Sequence, residues 1–432
     1  MRSVTDTWID KEIVADVLSV PKRVVQARVR AGLLTGVTGE DGRTKFAVKE
    51  LKQFPEFQSM AISKWDEETK VKPARAYHSI ELFAGAGGLA IGLEQAGFHA
   101  VALNEIDPSA CGTLRLNRPD WNVKEGDISK IDFTPYKGVD FVSGGFPCQA
   151  FSYAGKRAGF EDARGTLFFE FARVIRETQP RVFLGENVRG LLTHDGGNTL
   201  RVIRSVIGDL GYTLVEPHVL KAIFYKVPQK RERLALVGIR NDLLPHAAFS
   251  WPEPAQRVYT VRDAFKAGDL FATDVPGSPG QKYPKRKADV LAHVPQGGYW
   301  RDLPVRLQKA YMKGSFALSG GKTGMARRLA WDAPSLTLTC APAQMQTERC
   351  HPEETRPLTV REYARIQTFP DDWQFSGNLS SQYKQIGNAV PVNLAAALGR
   401  RLVALLNSIE KKSRKSRQKQ IYYTTTGRKQ TR

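Results

Sequence analysis

Three short stretches of this 432-residue sequence carry side chains suited to chemistry at the mouth of a cleft. In GGFPCQAFS (144–152), Cys148 follows the apolar run VDFVSGG and stands behind Pro147, which removes a backbone donor and stiffens the approach to the thiol. A thiol reacts as thiolate, so a catalytic cysteine needs partial exposure and positive surroundings. The loop that follows, YAGKRAGFEDARG, offers Lys156, Arg157 and Arg164 among three glycines, as a phosphate-touching lid would. In GENVRG (185–190), Glu186 closes the run RVFLGE and is a candidate acid. In PQKRERLALVGI (228–239), Arg231 and Arg233 alternate ahead of another apolar run. Each residue also has a bland reading: a small buried thiol for the cysteine, a surface ion pair for an arginine.

A second group can hold a ligand. In ELFAGAGGLAIG (81–92), Gly85, Gly87 and Ala90 fit the pattern GxGxxG/A, and Glu105 of NEIDPSA lies 20 residues beyond Gly85, where it can reach ribose hydroxyls. Missing side chains let a ligand approach the backbone. The pattern fits NAD, S-adenosylmethionine or a plain tight turn. Ile106 can flank an adenine face, and Asp127 of GDISKID can accept from its exocyclic amine. A second carboxylate suits an adenosine group without phosphates, because a pyrophosphate attracts arginine or helix N-terminal donors.

These residues need a scaffold that presents strand ends side by side. The apolar segments SIELF (79–83), HAVALNE (99–105), VDFVSGG (139–145), RVFLGE (181–186) and RLALVGIR (233–240) alternate with helical patterns such as GTLFFEFARVIRETQ (165–179). That rhythm predicts an α/β fold, a doubly wound and mostly parallel sheet, with ligands at the carboxyl ends of its strands. Residues 241–350, rich in Pro, Gly and basic residues, predict a smaller irregular domain, and QIGNAVPVNLAAALGRRLVALL (385–406) a loop entering a final helix. Near the N-terminus, DKEIVADVLSVPKRVVQARVRAGLLTG reads as two short helices and a tight turn, followed by a strand-bearing stretch. It resembles the winged-helix DNA-binding module of MerR and excisionase-type proteins; a protein-interaction domain is the competing reading. Residues 59–78 read as a linker. The expected segments are therefore 1–72 (helix-turn-helix module and linker), 73–255 (catalytic domain), 256–375 (recognition domain), 376–408 (return to the catalytic domain) and 409–432 (a basic disordered tail).

Composition narrows the partner. The net charge is +20, and residues 410–432 hold nine Lys or Arg against one Glu, which points to a polyanion. Four cysteines make no disulfide framework in a chain this long, and no CxxC or HxxxH pair suggests a metal. No apolar run of about 18 residues suggests a membrane span, and MRSVTDTWIDKEIV lacks a signal-peptide core. A cytoplasmic location with no membrane partner is expected.

Taken in order, ELFAGAGG, GGFPCQAFS, GENVRG, QKRERL and QIGNAVP resemble the cytosine-5 DNA methyltransferases, most of all the bacterial restriction–modification enzymes; the resemblance covers about residues 79–240 and 355–406. It implies S-adenosylmethionine as cofactor and Cys148 as the nucleophile that adds to cytosine C6. Glu186 would contact N3 and the 4-amino group, Arg233 would hold O2, Arg231 would support the thiolate or a nearby phosphate, and Asn187 would brace the loop. The cofactor site carries over to Phe83, Ala84, Gly85, Gly87, Gly88, Glu105, Ile106, Asp127 and Ile128, with Asn388 and Val390 near the methionine part. At Ile106 the family often has an aromatic residue.

A base in a duplex must be flipped out to be reached. Lys156, Arg157 and Arg164 would then hold the duplex, Gln149 or Ser152 would fill the gap or hold its phosphates, and the small domain would read bases through the major groove, with Arg327, Arg328, Lys322 and Gln344 as candidates. The resemblance further implies double-stranded DNA as substrate, a monomer on DNA, a short target sequence and a restriction endonuclease as functional partner. A tRNA methyltransferase of the same fold, a mainly regulatory protein and an NAD oxidoreductase are the alternatives; the last accounts for none of PCQ, ENV or QKRER.

Overall fold

The structure, a computed structural model, describes residues 8–39, 43–147, 167–318, 320 and 322–427, with the side chains of 413–427 left aside. The chain divides into two units. One comprises residues 1–65, 221–231 and 253–394 and is rich in loops; the other comprises residues 66–220, 232–252 and 395–432 and holds the main sheet.

The loop-rich unit begins with three short strands, β1 (Trp8–Asp10), β2 (Gly36–Thr38) and β3 (Thr44–Ala47), paired antiparallel in the order β1-β3-β2. Helices Lys11–Val17 and Lys22–Arg30 lie between β1 and β2 and bury Val14, Val17 and Val25. The sequence suggested a self-contained module here. Instead Ile223 and Val258 share one buried cluster with Val14, Val17, Val25, Phe46 and Leu51. So few residues in such short helices enclose too little apolar surface alone. The expected linker is also packed: Met60, Trp65 and Glu68 are buried, and Glu68 pairs with Arg401 at 3.0 Å.

The sheet unit is built from β4 (Tyr77–Leu82), β5 (Phe98–Glu105), β6 (Val123–Glu125), β7 (Phe141–Gly144), β8 (Val182–Val188), β9 (Tyr212–Leu214), β10 (His218–Lys221) and β12 (Glu232–Arg240). Its order is β10-β12-β8-β7-β4-β5-β6, with β9 pairing to β12. The pairs β4–β5, β4–β7, β5–β6 and β7–β8 are parallel, and β12 runs antiparallel to β8 and β9. The mostly parallel α/β sheet read from the sequence is what forms. The central strands β4, β7 and β8 are almost wholly buried, as in a sheet whose two faces are both covered. Helix Leu167–Thr178 buries Phe168, Phe171, Val174 and Ile175 at helical spacing. On β12, a Cβ added at Gly238 would fall on the Phe183 ring, so only glycine lets that ring lie across the sheet.

The rest of the loop-rich unit has little regular pairing. β11 (Gln229–Lys230) runs parallel to β13 (Ser335–Leu336), and helices Val360–Ile366 and Leu379–Asn388 follow. QIGN ends the helix Leu379–Asn388, where a loop was expected. The last helix, Val392–Gly427, buries its apolar residues through Ile409. The backbone of residues 409–427, expected to be disordered, continues this helix. The reason is local: Lys, Arg and Gln are good helix formers, and extending an existing helix avoids the cost of nucleation.

Candidate active site

Register aligns the chemically marked strand ends. Asn104, Leu82, Gly144 and Gly185 lie side by side across β5, β4, β7 and β8. The next residue on each strand is Glu105, Phe83, Gly145 and Glu186. At about 4.8 Å per strand, this row spans roughly 14 Å from Glu105 to Glu186. Strand order reverses between β4 and β7, the switch point where open α/β sheets open a crevice.

On the β4–β5 side the groups offered are backbone and carboxylate. Phe83 (φ 58°), Gly85 (φ 56°) and Gly87 (φ 85°) all have left-handed backbones, and Gly87 caps helix Gly88–Ala96. A left-handed phenylalanine is strained by about 1 kcal/mol or more, a cost held by the surrounding turn. Glu105 fixes that turn. Its Oε2 accepts from the Gly85 N–H at 2.7 Å, and its Oε1 accepts from the N–H groups of Ile106 and Asp107 at 2.8 Å each. No atom lies within 4 Å of where a Gly85 Cβ would stand, so the turn faces open space. Ile106 is 66% exposed beside it, an unusual position for a large apolar side chain. Asp127 accepts from the Ser129 N–H at 3.0 Å, and that backbone hydrogen bond lowers its pKa below the usual carboxylate range. These groups fit an adenosyl ligand: an open backbone cradle, an exposed apolar face and carboxylate acceptors. Ile128 differs from expectation, since its side chain is buried in the core.

On the β7–β8 side the groups are side chains of opposite charge. Glu186 Oε1 lies 2.6 Å from Arg233 Nε, both side chains 14% exposed. A Cβ on Gly145 would stand 3.0 Å from Glu186 Oε2, so this glycine makes room for the carboxylate. Asn187 donates to the Phe146 carbonyl at 2.8 Å and accepts from the Val188 N–H. Phe146 is buried against Phe168 and Phe171, at ring distances of 5.4 and 5.5 Å. The stem that leads into Cys148 is thus pinned by a carbonyl clamp and an aromatic cluster. Sequence reasoning named Asn187 but missed Phe146 and Gly145; the repeated aromatics of LFFEF were the available signal. Cys148, Gln149, Ser152, Lys156, Arg157 and Arg164 lie outside the described residues.

In the loop-rich unit several expected site residues prove to be framework. Arg231 is 2% exposed and donates to the carbonyls of Leu338 and Asn388 at 3.3 and 3.2 Å. So enclosed a guanidinium is not offered to a DNA phosphate, which corrects that part of its expected role. Arg328, expected to read bases, is 4% exposed and donates to the carbonyls of Leu291, Val294, His351, Glu353 and Glu354 and to Thr355 Oγ1. It holds the loops around it. Lys322 likewise bonds the carbonyls of Ser315 and Leu318, and Arg327 donates to the Gly297 carbonyl at 2.7 Å with its guanidinium over the Tyr299 ring. Gln344 is exposed. Asn388 and Val390 belong to this unit, where Asn388 Oδ1 accepts from Cys340 Sγ at 3.2 Å. Gln229, passed over in the sequence, is fully buried and joins Gln367 Oε1 to the Leu338 N–H.

Residues 77–404 match the C-5 cytosine-specific DNA methylase family. The chain is 62% identical over 401 residues to the type II methyltransferase M.Eco47II of Escherichia coli, covering 92% of this chain and 96% of that one. It is 59% identical over 408 residues to M.PspPI of Psychrobacter sp. (strain TA137), covering 94% and 98%. Among solved structures, a DNA modification methyltransferase encoded within an E. coli prophage aligns over 77% of this chain and all of that chain, with 25% identity and a TM-score of 0.55. The Dnmt2 methyltransferase of S. pombe shares the fold over 77% of this chain and 99% of its own, with 18% identity and a TM-score of 0.54.

Proposed function

Because the chain belongs to the C-5 cytosine-specific DNA methylases, of the bacterial restriction–modification type, we propose that it methylates a flipped-out cytosine in a short double-stranded target through a covalent Cys148 adduct. The single observation that supports this most is the Glu186–Arg233 pair at the lip of β8 and β12. Cytosine presents an acceptor (O2), a ring nitrogen (N3) and a donor (the 4-amino group) along one edge. A guanidinium beside a carboxylate complements that edge in order: Arg233 donates to O2, while Glu186 accepts from the amino group and from protonated N3. A proton passed to N3 through the Glu186 carboxyl draws electrons from C6, where the Cys148 thiolate adds. The addition makes C5 nucleophilic; C5 takes the methyl group as its bond to the sulfonium sulfur breaks and a neutral thioether departs, a base then removes the C5 proton, the electron pair expels Cys148 as thiolate, and N3 returns its proton.

S-adenosylmethionine supplies the methyl as a sulfonium. The chain's part is to hold it: the backbone of Phe83–Gly88, Glu105, the exposed face of Ile106 and Asp127, with Asn388 and Val390 assigned by resemblance alone. Glu105 already accepts three backbone N–H groups, so a ribose hydroxyl would share it. In this reading residues 256–375 recognise the target, with exposed Gln344 as a candidate reader. Gln149, Ser152, Lys156, Arg157 and Arg164 hold the opened duplex. The enzyme acts as a monomer on DNA in the cytoplasm and protects the host genome from a partner endonuclease. The test is labelled S-adenosylmethionine with duplex DNA and, separately, tRNA. Label recovered as 5-methylcytosine in DNA, and lost with Cys148→Ser, supports the reading. Label in tRNA alone, or on another base, sinks it.

A second role rests on helix Lys22–Arg30, which leaves Arg23, Gln26 and Arg30 exposed at helical spacing ahead of the β2–β3 hairpin. That is how a winged helix-turn-helix presents its reading face, and the module would bind the enzyme's own promoter. Arg23→Ala with Arg30→Ala should weaken promoter binding and flatten its salt dependence. Unchanged binding by that double variant would reject the role.

A further inference from the structure

The loop 221–231 leads directly into the strand that carries Arg233, and both its ends are held by one helix end. Lys221 Nζ donates to the Val17 carbonyl at 3.2 Å, and Lys230 Nζ lies 2.7 Å from Asp16 Oδ2. Asp16 and Val17 are the last two residues of helix Lys11–Val17. The loop closes on itself through the Ala222 N–H and the Arg231 carbonyl at 2.7 Å. Ile223, inside the loop, completes the buried cluster around Val14 and Val17. On its far side Gln229 is tied to Gln367 and Leu338. Lys230 is thus held from the N-terminal module three residues ahead of Arg233, with one residue between β11 and β12.

We propose that the N-terminal module is a positioning part of the enzyme: Asp16 and the Val17 carbonyl clamp Lys230 and Lys221, and so set the stem from which Arg233 reaches Glu186. The inference rests on the reading of Arg233 given above. An ion pair that only stabilises the fold leaves the turnover of folded enzyme unchanged. A clamp does more, because a misplaced catalytic group slows the reaction without unfolding anything.

The test uses the full chain, with active sites counted by trapping on duplex DNA made with 5-fluorocytosine. Asp16→Asn and Lys230→Met are compared with the exchange Asp16→Lys/Lys230→Asp, and with Arg233→Ala as reference. The clamp predicts a kcat per trapped site lowered about tenfold in each single variant, an unchanged KM for DNA, and partial recovery in the exchange. Lys230 is 30% exposed, so Lys230→Met keeps the test open if Asp16→Asn folds poorly. Unchanged kcat per site, or a change confined to KM for DNA, overturns the clamp. Full turnover by Arg233→Ala would instead fault the reading of Arg233, a distinct failure.

Discussion

The two units use arginine in opposite ways. In the sheet unit Arg233 faces a single carboxylate at a strand end and keeps part of its surface open. In the loop-rich unit Arg328 is enclosed and gives its donors almost entirely to backbone carbonyls, and the enclosed Arg365 divides its own between the carbonyls of Ala264, Thr273 and Asp274 and the Asp371 carboxylate. The difference follows from hydrogen-bond accounting. A parallel sheet satisfies its backbone through the ladder, which frees charged side chains at the strand ends. A unit with few paired strands leaves carbonyls facing inward, and a buried carbonyl needs a donor. Arginine, with five donors in a rigid fork, supplies several at once. Basic residues in irregular sequence therefore signal framework as readily as DNA contact.

Four substitutions put that contrast to the test. The largest effect is expected at the Glu186–Arg233 pair: under the proposed function Glu186→Gln should lower kcat by roughly 10²–10⁴-fold, the range for a positioned acid, while the melting midpoint shifts by a few degrees at most. Denaturant titration should show Arg328→Met losing about 3 kcal/mol or more, since several buried carbonyls lose their donor together. Equal stability of that variant would mean the carbonyls are satisfied otherwise and the contrast fails. Gly145→Ala should cost about tenfold in kcat, because its Cβ pushes on Glu186 and misplaces it; steady-state kinetics at saturating substrates would show it.

The smallest effect concerns Glu81, whose carboxyl is buried in β4 and takes a hydrogen bond from the Ala90 backbone. Burial raises its pKa well above the usual 4.5, so the folded state keeps the proton that the unfolded chain has already lost. The stability this contributes is full below pH 4.5 and declines as pH rises toward the raised pKa. Glu81→Gln escapes that decline. Its melting midpoint relative to the parent should rise from pH 4 to pH 8, read by calorimetry across that range, and a flat difference would reject the buried neutral acid.

Much of the sheet unit was legible in the sequence because periodicity and strand-end motifs report the same thing. SIELF, RVFLGE and RLALVGIR each became a strand within one or two residues of their expected bounds. Glu186 and Arg233, both placed near strand ends by the sequence, lie beside one another. What escaped was long-range: that Phe146 would anchor under Phe168, that Gly145 would yield space to Glu186, and that Ile223 would complete a core begun at Val14. Those facts depend on which loops pack together, and a local pattern carries no such information. Arg328 was misread for the same reason, since type and charge do not reveal which carbonyls surround a side chain.

In the proposed reaction the Glu186–Arg233 pair serves Cys148, four residues beyond the end of β7 in the sequence. The direct measurement is peptide mapping by mass spectrometry after incubating the full chain and S-adenosylmethionine with a long duplex synthesised with 5-fluorocytosine in place of cytosine. One covalent nucleotide adduct is expected, on Cys148, its yield sharply reduced by Glu186→Gln. An adduct on exposed Cys340, or methyl transfer with no adduct at all, would contradict it.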